Sequence, residues 1–186
     1  MFRISGISRK GKVQSVEKWS MTIHRLFSKD PNDEEENVTQ NIYVFRFILF
    51  CIIVYSFEML LNSVDIFIVD KTIFTRGYVT GCLFAAVYVL ILLHLGLEHP
   101  LTKYVSITAV SLIIMAASVS LTYHMIIIIM MPIIIAGMYT SKQLSIYTFV
   151  LTVLSIIIST YAGYYYGVCD ALSLIHISEP TRLRCI

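Results

Sequence analysis

Long apolar runs broken by short polar stretches dominate this chain from Ile42 to Tyr166. A bilayer core of about 30 Å needs about 20 apolar residues in helical form, and the chain offers several runs near that length. They cover residues 43–61, 77–97, 104–121, 125–139 and 144–166. The breaks carry the polar residues: Asp65, Asp70, Lys71 and Arg76 in 62–76, then Glu98, His99, Pro100 and Lys103. Tyr123 and His124 make the third break, and Ser141-Lys142-Gln143 the fourth. The pattern predicts an all-α fold, a multi-pass transmembrane helix bundle of about five spans within residues 42–171. A polar segment, residues 1–41, precedes it.

The fourth run differs from the others. Its fifteen residues give only about 22 Å of helix, and Pro132 stands in its middle, where a proline removes a hydrogen bond and kinks or breaks the ladder. A kinked crossing and a re-entrant segment are both open. A single helix from Tyr104 to Tyr139 would be too long for one crossing, so a reversal near His124 is expected. Ahead of the first run, Trp19, Ile23, Leu26 and Phe27 recur at helical spacing beside Lys18, Arg25 and Lys29. Such a basic amphipathic helix can lie on an anionic membrane surface; a loosely ordered tail is the alternative.

Composition agrees with the pattern. Of 186 residues 57% are hydrophobic and only 14% charged, with a mean hydropathy of +0.77; soluble domains are about 25% charged. Charge placement sets the orientation. Seven Lys or Arg precede residue 30 (Arg3, Arg9, Lys10, Lys12, Lys18, Arg25, Lys29), and Lys103 and Lys142 fall on the same side, against Lys71 and Arg76 on the other. Basic loop residues gather on the cytoplasmic side, which predicts a cytosolic N-terminus in the cell membrane. The polar N-terminal stretch is unlike a cleavable signal peptide, which brings its apolar region early. Tyr161, Tyr164, Tyr165 and Tyr166 close the fifth run, as tyrosines do where lipid meets water.

Small residues recur at four-residue spacing. Gly77, Gly81 and Ala85 form one row, and Ser155, Ser159, Gly163 and Gly167 another. Each row lies on one helix face and lets backbones approach closely in lipid, either inside one bundle or across a homodimer. Arg46, Glu58, His94 and His124 are the ionisable groups in or beside the runs. Arg46 and Glu58 are twelve residues apart, about 18 Å of helix, so they cannot pair within one helix. At mid-bilayer each would cost about 2.5–3.5 kcal/mol; near the span ends they can snorkel to water. His94 and His99 are five apart with Pro100 adjoining, whereas a helical metal pair prefers a spacing of four. Cys51, Cys82 and Cys169 show no metal or disulfide spacing. No phosphate-cradling loop, nucleophile elbow or zinc-protease motif is present, so no catalytic, cofactor or metal residue is assigned and no nucleic-acid partner is implied. The bilayer is the expected partner, and any ligand is unspecified.

Two resemblances complete the reading. Leu172 to Arg182 (Leu-Ser-Leu-Ile-His-Ile-Ser-Glu-Pro-Thr-Arg) resembles a translated transposon-end sequencing adaptor, so residues 172–186 are set aside as an artefact of the reading frame and the authentic chain is expected to continue past Ala171. Pro132, the Met138-Tyr139-Thr140-Ser141-Lys142 break, and the closing Gly163-Tyr164-Tyr165-Tyr166-Gly167-Val168-Cys169-Asp170 resemble the membrane input region of bacterial signalling proteins that precedes a cytosolic GGDEF (diguanylate cyclase) domain. The resemblance covers about forty residues. It implies a further span and a cytosolic output domain after this stretch, and it carries over no catalytic residue because the GGDEF motif is absent. The expected function is a membrane-embedded sensory or anchoring region. A small multi-pass transporter is the competing class, with Pro132 the one feature that fits a broken transporter helix; a membrane-embedded enzyme would need paired polar groups at bilayer depth.

Overall fold

A computed structural model describes residues 19–27, 36–64, 66, 70–121 and 126–165. Among them the elements are helical: α1 (residues 19–26), α2 (Glu36–Ser63), α3 (Lys71–Leu95), α4 (Thr102–Leu121), α5 (Ile126–Ile129), α6 (Met131–Met138) and α7 (Lys142–Tyr165). Four of these, α2, α3, α4 and α7, are long and apolar enough to cross a bilayer. Helices apolar on every side belong in a core or in lipid, and the burial pattern divides these four. Of the most apolar stretch of α4, 61% is buried, against 22%, 17% and 28% in α2, α3 and α7. The central helix is therefore α4, with the other three around it.

That arrangement inverts the pattern of a water-soluble bundle. Phe50, Ile53, Phe57, Leu83, Leu90, Phe149, Val150 and Ile157 point outward, and large exposed apolar faces of this kind mark a membrane or partner contact. Inside, α4 offers Ser106, Ala109, Ser111, Ala116, Ala117 and Ser118. Close backbone approach, rather than exclusion of oil by water, holds helices together in lipid, so small residues sit where the helices meet.

The helix bounds differ from the sequence expectation at three places. The first span starts earlier, at Glu36, so residues 36–41 belong to the helix and not to the polar segment. Lys71 and Arg76 lie within α3, not in a loop. Asp70 moves that boundary, because its carboxylate accepts from the backbone N–H of Thr72 (2.9 Å) and Ile73 (3.0 Å) and caps the helix there. The expected span over 125–139 consists of two short helices parted at Met130. Pro132 occupies the first turn of α6, where the missing N–H has no helical partner to lose; it starts α6 and cannot continue α5.

Tertiary contacts give the bundle two ends. At the first, α2 begins, the turn between α3 and α4 lies, α6 finishes and α7 starts. Asn41 of α2 reaches the Leu97 carbonyl of that turn, and Tyr139 after α6 reaches Asn41. Tyr104 and Tyr147 stack edge to face with centroids 5.4 Å apart, early in α4 and α7. The Thr108 hydroxyl donates to the Tyr104 carbonyl, so the Tyr147 hydroxyl must donate to Thr108 at 2.7 Å. At the second end, Tyr55 of α2 packs edge to face on Phe74 and Tyr78 of α3, and the Tyr78 hydroxyl donates to Ser56 at 2.9 Å. Both α4 and α7 run from the first end to the second. The chain returns between them through α5 and α6, a broken helical segment that finishes beside the start of α2.

The helix α1 lies against the first end. Leu26 is buried in the main core, Phe27 meets Phe45 edge to face at 6.0 Å, and Arg25 pairs with Glu98 at 2.8 Å. Arg46 turns its Nε to the Leu26 carbonyl at 3.3 Å, placing a cation at the negative end of α1. Trp19, Met21 and Ile23 stay exposed.

Candidate functional site

Two polar features stand out in this apolar bundle. The first is a buried network at the first end. The Gln40 Nε2 donates to the Met138 carbonyl at 2.6 Å, and Asn41 Nδ2 to the Leu97 carbonyl at 2.9 Å. The Tyr139 hydroxyl donates to Asn41 Oδ1 at 2.8 Å and lies beside Ser106, which pairs with the Tyr88 hydroxyl at 3.1 Å. Backbone carbonyls left open at helix ends need partners, and here two amides from α2 supply them. Gly96 makes the turn that presents Leu97, with φ 89° in a region that side-chain-bearing residues rarely adopt; Thr102 donates back to its carbonyl at 2.7 Å. Thr140, between α6 and α7, stands at φ 48°, an uncommon conformation for a β-branched residue.

The second feature is a cavity of about 190 Å³ between α2, α4 and the α5–α6 break. Phe47, Phe50, Cys51, Val54, Tyr55 and Glu58 form its α2 wall. Ile113, Ile114 and Ala117 come from α4, and Ile128 and Met131 flank the break at Met130. From Phe47 to Glu58 the wall runs about 16 Å along the helix axis. Glu58 is half-buried and has no hydrogen bond or ion pair among the described residues. A cavity this apolar with one carboxylate is the kind of place where a ligand binds. Pro132 opens α6 just past the Met130 break that this cavity adjoins.

The residues singled out from sequence fall as follows. Gly81 is buried, and a Cβ there would stand 3.4 Å from the Tyr55 ring. Ala85 packs on the main core. Gly77 lines a second cavity of about 210 Å³ between α3, α4 and α7, with Arg76 and Ala162. Ser155, Ser159 and Gly163 are buried on α7, whose main neighbours are α4 and α6. All of this burial is within a single copy of the chain. Arg46 contacts α1, and His94 lies exposed in the last turn of α3. Glu98 pairs with Arg25, and His99 Nδ1 accepts from the Leu101 N–H at 3.2 Å. Among the described residues no three His, Cys, Asp or Glu side chains converge. Gly167, His124, Tyr166 and residues 172–186 lie outside the described residues.

Gln40, Asn41, Tyr88 and Ser106 have no place in the sequence expectation, and Tyr139 has one only within the Met138–Lys142 break. The available signal was the amide pair Gln40-Asn41 directly before an apolar run; its partners are up to 98 residues away. No protein family, curated protein or solved structure matches this chain.

Proposed function

We propose that this chain is the membrane-embedded sensory or anchoring region of a bacterial signal-transduction protein, with the N-terminus in the cytosol and an output domain of GGDEF type in the parent. The observation that carries the reading is the double engagement of the α5–α6 segment. One end of it walls the Glu58 cavity through Ile128 and Met131; the other is tied to α2 through Met138 and Tyr139. An occupant of the cavity would bear on a broken, short-helix segment whose far end sits at the side that the basic residues assign to the cytosol. A ligand shifts such an equilibrium only by binding one arrangement better than the other, and contact with both sides of the Met130 break supplies that difference. The resemblance over residues 131–170 supports the type of output.

The test is made on the parent protein. Its genomic reading frame beyond codon 171 should encode a cytosolic domain, and Pro132→Ala, which restores a backbone donor at the break, should change cyclic-dinucleotide formation severalfold. Product made by residues 1–171 alone, or output indifferent to the break, would sink the reading. A transporter is the second reading, favoured by the interrupted α5–α6 segment beside a cavity; substrate uptake by proteoliposomes holding the full chain would select it.

A further inference from the structure

The chemistry of the Glu58 cavity narrows what it can hold. Its wall carries the rings of Phe47, Phe50 and Tyr55 and the alkyl groups of Ile113, Ile114 and Met131. Glu58 is the only carboxylate on that wall and has no partner among the described residues. A neutral apolar guest would fill the space but leave that carboxylate desolvated and unpaired, which is costly. A hard metal ion wants six or more oxygens, and no group of three His, Cys, Asp or Glu side chains forms around Glu58 among the described residues. An organic ammonium meets both demands at once. Its charge offsets the carboxylate, its weakly hydrated surface is attracted to aromatic faces, and its hydrocarbon replaces the contacts the cavity lacks.

We propose that this cavity binds a small lipophilic organic cation, with the ammonium group against Glu58 and the apolar part reaching one to two turns along α2, past Tyr55 toward Cys51. Size agrees: about 150 Å³ suffices for benzene, so 190 Å³ admits one ring with a small cationic head. Access agrees too. Phe50 is 61% exposed and Val54 and Ile128 are partly exposed, so the cavity opens through the apolar outer surface, and a guest that partitions into the bilayer meets the opening from the side. The assignment deepens the sensory reading and rests on its placement of the input at this cavity.

Cys51 gives a site-specific readout, because its thiol lines the cavity while Cys82, also free, lies on α3 away from it. The full chain is placed in vesicles of phosphatidylglycerol, which has no amine headgroup. Alkylation of each cysteine by N-ethylmaleimide is followed by peptide mass spectrometry. Benzyltrimethylammonium should slow modification of Cys51 at least tenfold at saturation and leave Cys82 unchanged. Glu58→Gln should raise the concentration for half-protection at least tenfold, while Glu58→Asp keeps most of it. Neopentylbenzene, the uncharged isostere, should protect weakly and equally in all three proteins. Equal protection by the cation with and without the carboxylate overturns the proposal. So does better protection by the uncharged isostere, or loss of protection in Glu58→Asp as complete as in Glu58→Gln. Protection of Cys51 by added phosphatidylethanolamine as strong as by the small cation would make the occupant a lipid headgroup, and also overturns it. Charge-dependent protection with unchanged output of the parent would defeat the sensory reading while the ligand assignment stands; changed output without charge-dependent protection does the reverse.

Discussion

Replacing Tyr139 by Phe removes one oxygen from the buried network and leaves Asn41 Oδ1 without its donor. The pair is 2% and 4% exposed (Asn41 and Tyr139) and joined at 2.8 Å, so water cannot easily replace the lost hydroxyl. Stranding a buried acceptor costs about 1–3 kcal/mol in water-soluble proteins. Hydrogen bonds between membrane helices are worth less, about 0.6 kcal/mol on average and about 1.7 at most, because the unfolded state in lipid also finds partners. The burial of both groups argues for the upper part of that range, so Tyr139→Phe should cost about 1–2 kcal/mol. Asn41→Ala should cost more, because the Leu97 carbonyl loses its donor as well. Reversible unfolding in mixed micelles, followed by circular dichroism, gives both values and that of the double variant. The two changes share one bond, so the double variant should be less destabilised than the sum by about 0.6–1.7 kcal/mol. Additivity within about 0.3 kcal/mol would refute the claim that this bond ties α6 to α2.

Four further outcomes are expected. Asp70→Ala removes the acceptor for two backbone N–H groups at the start of α3 and should lower stability by about 1 kcal/mol, with faster amide exchange confined to the first turn. Gly81→Ala adds a methyl at ordinary contact distance from Tyr55 and gains up to about 1 kcal/mol of helix propensity, so its thermal midpoint should stay level or rise, whereas Gly81→Leu should displace the Tyr55 ring from Phe74 and lower it. Thr140→Gly relieves a left-handed backbone that costs about 1–3 kcal/mol for such residues; partly offset by glycine's greater freedom when unfolded, it should still raise the denaturant midpoint. Thr152→Val replaces a buried hydroxyl that has no hydrogen-bond partner among the described residues by a group of the same shape, and the expected change is neutral to stabilising; a loss above about 1 kcal/mol would show that the hydroxyl is satisfied.

Much of the architecture was legible along the chain. The apolar runs at 43–61, 77–97, 104–121 and 144–166 each coincide with a long helix, because twenty apolar residues can meet their backbone hydrogen bonds only within themselves in lipid. The break beside Pro132 was readable too, since a proline cannot continue the helix that precedes it. Asp70 reads as a loop residue along the chain but caps α3, because capping depends on two backbone N–H groups that composition does not show. The sequence alone also supplied the small-residue rows at Gly77, Gly81, Ala85 and Ser155, Ser159, Gly163, which are periodic features of single helices. The tertiary structure decided which helix lies at the centre, since all four long helices are apolar on every side and periodicity cannot rank them. It decided, too, that Tyr139 meets Asn41 and that Glu58 shares a cavity with Met131. Those pairs lie 98 and 73 residues apart, and a contact between distant residues is set by how whole helices dock, which no local pattern records.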